Sequence, residues 1–107
     1  MCFHQDIKNI NDQLDPHYEA IMWGYATVTQ ANSMSIVMHL ADVDQLVKQF
    51  SRTLYEYTTV TAIQRSAVDR TVLAQIESLQ ARFELIRTKL TELVEQLKAL
   101  SVSVTLH

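Results

Sequence analysis

Residues 72–104 read VLAQIESLQARFELIRTKLTELVEQLKALSVSV, and ten apolar positions recur through the stretch at gaps that alternate four and three. They are Val72, Ile76, Leu79, Phe83, Ile86, Leu90, Leu93, Leu97, Leu100 and Val104. A strand would place apolar residues at every second position, whereas a mean spacing of three and a half keeps one narrow stripe on one side of a helix. Such a stripe needs a partner helix to cover it, and the pair supercoils to stay in register. The stretch therefore predicts a long helix over residues 62–101 that works by pairing.

Moving upstream, a second seam follows the same rule through Ile36, Leu40, Val43, Val47, Phe50, Leu54 and Tyr57. The two seams do not share a frame. Continued past Tyr57, the first would use Thr61, Gln64, Val68 and Thr71, one residue out of phase with Val72. Between them lies Tyr57-Thr58-Thr59-Val60-Thr61, whose β-branched residues have low helix propensity and whose threonines can cap a new helix. Thr61 with Gln64 makes a capping-box pattern, and Ser66 with Asp69 a weaker one. These signals predict a chain reversal at residues 57–62. Helices over 16–57 and 62–101 would then be about 63 and 60 Å long, matched arms for an antiparallel hairpin. One continuous rod is the competing arrangement, since neither glycine nor proline enforces the turn.

The chain holds one glycine, Gly24, and one proline, Pro16, so no strong breaker interrupts the remaining length. Ahead of the seams, Phe3, Ile7, Ile10 and Leu14 suit a short amphipathic helix over residues 1–14, ending at Asp15. Asp15-Pro16 reads as a helix start, because the carboxylate accepts from free N–H groups and proline at the first position has none to lose. Residues 102–107 read as a frayed tail. Several apolar residues fall outside the seams, namely Met34, Val37, Met38, Leu46, Tyr55, Leu73, Leu85 and Val94. The expected fold is thus a single all-α domain, a long coiled-coil hairpin with a short N-terminal helix, self-associating into a helical bundle. A parallel dimer of the second helix is disfavoured, because it would set Arg82 against Arg87 of its twin.

Composition narrows the function by exclusion. One glycine leaves no glycine-rich phosphate loop and no Gly-x-Ser-x-Gly elbow, and lone Cys2 allows no internal disulfide. Of His4, His17, His39 and His107, only His39 has a carboxylate at helical spacing, Asp42, and one such pair reads as a surface histidine beside an acid. No catalytic residue, cofactor or metal site is expected, and the protein reads as not an enzyme. The most apolar stretch, Ile36 to Val43, is too short to span a bilayer, and no leader-like segment opens the chain, which suits a soluble protein inside the cell.

Net charge is −3, but it is unevenly spread: residues 1–47 set Lys8 against six acids, while residues 48–90 set seven Lys or Arg against four acids. Arg52, Arg65, Arg70, Arg82, Arg87 and Lys89 form a broken basic line, so Arg82, Arg87 and Lys89 are candidates for phosphate contacts with double-stranded RNA. Trp23, in the aromatic cluster Tyr18, Met22, Trp23 and Tyr25, either anchors a partner or closes the end of its own bundle. The order of Trp23-Gly24 followed by heptads resembles viral class I fusion subunits, which implies the heptad core of a membrane-fusion protein, although the glycine-rich peptide of that family has no counterpart here. The leading expectation is a structural or adaptor protein that pairs helices with itself and with a second helical protein. Its interaction residues are the two seams.

Overall fold

A computed structural model describes residues 3–65 and 67–105, with side chains through residue 101. It is all-helical, and no strand occurs among the described residues. Three helices account for nearly all of it: α1 (Phe3–Trp23), α2 (Gln30–Gln64) and α3 (Arg70–Thr105). No described helix is long and apolar enough to cross a membrane.

The first departure from expectation is α1, which runs unbroken through Pro16 instead of ending at Asp15. A proline inside a helix removes one hydrogen bond and costs about 3 kcal/mol. Here the apolar stripe continues in phase across it, burying Ile7, Ile10 and Leu14 before it and Ile21 after it. At ~1.5–3 kcal/mol for each buried aliphatic side chain, that stripe outweighs the proline. Pro16 and Asp12, whose carbonyl loses its partner, both sit on the exposed side where water is available.

The long helix expected over 16–57 is divided instead at residues 24–29. Gly24 closes α1 by donating its N–H to the Ala20 carbonyl at 2.8 Å. A Cβ at this position would stand 2.5 Å from that same oxygen, so glycine is required by the close approach. Thr29 then caps α2 reciprocally: its hydroxyl accepts from Asn32 N–H, and the Asn32 amide oxygen accepts from Thr29 N–H at 2.8 Å. Asn32 also donates to the Thr27 carbonyl, and Val28 N–H reaches Gln96 on α3, so the loop is fixed at both ends.

The reversal also lies elsewhere than expected. Residues 57–62 are inside α2, which ends at Gln64, with Arg65 in the left-handed conformation (φ 52°, ψ 33°) as its cap. The low helix propensity of the threonines is outweighed by the burial of Tyr57 beside them, and their hydroxyls bond back to the helix, Thr58 to the Tyr55 carbonyl and Thr61 to the Tyr57 carbonyl, each at 2.9 Å. Asp69 starts α3, accepting from the N–H groups of Thr71 and Val72. The α3 helix therefore begins at residue 70 and not at 62, and it extends to Thr105, through four residues of the expected frayed tail.

Ring and hydrogen-bond contacts fix the arrangement. Phe3 meets Tyr57 and His17 meets His39, so α1 and α2 run in opposite directions. Arg82 meets Asn11 and Asp15, and Gln96 meets the loop that follows α1, so α1 and α3 run in the same direction. Tyr57 accepts from Asp69 N–H at 3.1 Å and Phe50 packs on Phe83, which sets the height of α2 against α3. The whole is an elongated three-helix bundle of 62 × 21 × 18 Å. At 1.5 Å per residue α1 is about 32 Å long and its two partners over 50 Å, so the supposed accessory helix is the brace of the core.

Candidate helix-docking groove

Because α2 must face two neighbours, its buried stripe is wider than the expected seam and turned toward α1. Ile36, Val43, Phe50 and Tyr57 are buried, together with Leu46 and Thr53. Leu40 and Leu54 are half-buried against the core, and Val47 is 40% exposed. On α3, Val72, Ile76, Leu79, Ile86, Leu90 and Leu93 are buried in one stripe, with Phe83 and Leu97 packed against the core. Leu100 is half-buried, and the side chain of Val104 lies outside the described residues.

With α1 occupying one side of the α2/α3 pair, the other side is left open. A groove of about 730 Å³ runs there, floored by Leu40, Val47, Phe83, Ile86, Leu90 and Val94. No residue of α1 lines it. A second depression of about 410 Å³ follows toward the N-terminus of α2, between Met34 and Val37 on that helix and Leu97 and Leu100 on α3. Met34 and Val37 are exposed there. The rims of the groove carry the ion pairs Glu84–Arg87 (3.9 Å) and Glu95–Lys98 (3.5 Å) on α3, with Asp44–Lys48 (3.1 Å) on α2. All six side chains are largely exposed, so each pair contributes little stability.

The groove offers shape and apolar area, with Asp44, Glu84, Arg87, Glu95 and Lys98 as its ionisable lining. Its one lining hydroxyl, on Thr91, is committed to the Arg87 carbonyl at 2.9 Å. Among the described residues no cluster of three or more His, Cys, Asp or Glu side chains is placed to hold a metal. Cys2 and His107 lie outside the described residues.

The candidate phosphate contacts do not share a face. Arg82 is turned inward onto α1, hydrogen-bonded to Asn11 and Asp15 and stacked 4.7 Å over the Tyr18 ring, with its side chain only 19% exposed. Lys89, seven residues on, is also partly covered and pairs with Glu92 at 3.7 Å. Arg87 instead lies on the groove. Trp23 does not close the bundle end: it is 71% exposed, and half-buried Tyr25 occupies that place, bonded to Ser35 at 2.6 Å.

One polar cluster was not legible from spacing. His17 and His39, on different helices, face each other with Nδ1 atoms 2.9 Å apart, so one ring donates and the other accepts. Asp42 approaches the far nitrogen of His17 at 3.8 Å rather than serving His39. Burial first, then the neighbouring His17, holds the His39 imidazole below its ordinary value, while Asp42 acts in the opposite sense. Each histidine follows a buried residue by three positions, Leu14 and Ile36, which is the only signal that places both inward. Comparison with protein-family models, with curated proteins and with solved structures gives no match.

Proposed function

We propose that this chain is a non-enzymatic structural or adaptor protein that works by helix pairing, with the open α2/α3 groove as its docking surface. In this reading α2 and α3 are the arms of an antiparallel, coiled-coil-type hairpin, braced on one side by α1. The opposite side takes an amphipathic helix, first of all from a second copy. The observation that carries it is the groove itself: exposed Val47 with half-buried Leu40, Phe83 and Val94 lines it, and exposed Val37 lines the neighbouring depression. A continuous exposed apolar face rimmed by charged residues is what a helix-in-groove interface needs.

Val37→Glu tests this. Val37 is 45% exposed, so a glutamate there leaves the bundle folded, with a change of stability within about 0.5 kcal/mol. Chromatography with light scattering then reads the mass. The proposal expects wild type at a multiple of 12.3 kDa and the variant at 12.3 kDa, with equal helicity by circular dichroism. Equal masses for the two proteins would overturn it.

A further inference from the structure

Resting on that reading, we infer that the occupant of the groove is a second copy of this chain, docked with α3 antiparallel to its twin about a two-fold axis at Thr91. The basis is the charge order along the groove side of α3. Glu84, Arg87, Thr91, Glu95 and Lys98 all line the groove. Their spacings about Thr91 are symmetric, at four and seven residues on each side, and their signs are opposite across it. A two-fold axis at Thr91 therefore sets Arg87 of each copy against Glu95 of the other, and Glu84 against Lys98. All four ionisable groups that α3 gives to the groove gain an opposite charge, and none faces its like. A slip by one turn in either direction destroys this matching.

The same axis must cross α2 at the same height, which supplies an independent check. Phe50 packs on Phe83 with ring centroids 5.5 Å apart. Because the two helices run in opposite directions with equal rise, residue 42 of α2 lies level with Thr91. Rotation about that height places Val37 of one copy against Val47 of the other, two exposed valines that otherwise lack cover. Ala41, small enough for close approach, falls beside the axis. An isologous interface needs this self-complementarity in both elements at once. Apolar cover supplies the affinity, and the charges select the register, since exposed ion pairs are individually weak.

Two variants of the full chain test the register. Arg87→Glu alone sets like charges together twice in its homodimer, and so does Glu95→Arg. Each is expected to weaken self-association by about tenfold, from two contacts that change sign. An equimolar mixture of the two variants restores every match across the interface, so it should dimerise within about threefold of wild type and as the heterodimer by native mass spectrometry. No effect inside one chain can produce that rescue, because residues 87 and 95 are two turns apart on the same helix. In a Cys2→Ser background, Thr91→Cys should cross-link to its twin on mild oxidation, and Glu92→Cys, one residue off the groove, should not. A wild-type dimer without mixed-pair rescue or Thr91→Cys cross-linking would overturn this register and leave the groove as an interface. A wild type that stays monomeric would overturn the second copy as occupant altogether.

Discussion

Ile10→Ala separates a three-helix bundle from a two-helix hairpin with an accessory segment. Ile10 is 0% exposed in the middle of α1, on the stripe that also buries Ile7 and Leu14 between the other two helices. Truncation to alanine loses the transfer free energy of the removed carbons and leaves a cavity that three long packed helices cannot fully close. Buried Ile→Ala changes cost 2–5 kcal/mol, and a site walled by three helices is placed near the middle, at about 3 kcal/mol. Against a total stability of roughly 5–15 kcal/mol, this is a large fraction. With a urea slope of about 1–1.5 kcal/mol per molar for a chain this size, the midpoint should fall by about 2–3 M at an unchanged slope. The assay is urea denaturation followed by helical circular dichroism, starting from a spectrum dominated by helix. A loss below about 0.5 kcal/mol, the range of surface substitutions, would refute α1 as a core element.

Other expectations follow from individual contacts. Because the His39 imidazole is held below its ordinary value of 6.5 in the fold, the unfolded chain takes up that proton first. The neutral form's contribution is therefore present above pH 6.5 and lost as pH falls below it. Thermal scans between about pH 5 and 7.5 should show a melting temperature that falls toward acid, with a shallower dependence in His39→Gln. The groups facing the pair are Asp42 on α2 and the Tyr25 ring, and α3 adds no charge that shifts His39. Asp69→Ala removes the cap of α3 and should cost about 1 kcal/mol by the same denaturation assay. Thr58→Ala should be neutral or stabilising by a few tenths of a kcal/mol, since alanine favours a helix interior. A clear loss there would return the chain reversal to residues 57–62.

How much of this was legible in the sequence depended on whether local or tertiary terms decided each element. The α3 stripe was readable because its spacing is strict and its phase is set by one element alone. The α2 stripe was read one step too narrowly: two partner helices draw Leu46 and Thr53 inward and leave Val47 toward water, and a single chain of alternating gaps cannot express two neighbours. Pro16 and the cluster at residues 57–61 misled for the opposite reason. Their local penalties are real, but burial of Ile21 in one case and of Tyr57 in the other outweighs them. The division at residues 24–29 rests on Thr29 and Asn32, a cap whose third-position partner is asparagine in place of the usual Glu or Gln. Of the candidate contacts, Arg82 turns onto α1, where its partners Asn11 and Asp15 stand far away in sequence. The groove was anticipated only as surplus apolar residues in need of cover, since which side α1 leaves open is a property of the assembled bundle.

Sedimentation equilibrium of the wild-type chain, from about 1 to 300 μM, tests most directly whether the open side of the α2/α3 pair is an interface. A Kd within that range, about 10 μM for instance, corresponds to about −7 kcal/mol. The expected result is a reversible rise from 12.3 kDa toward twice that mass with concentration. A mass fixed at 12.3 kDa over the whole range would contradict it.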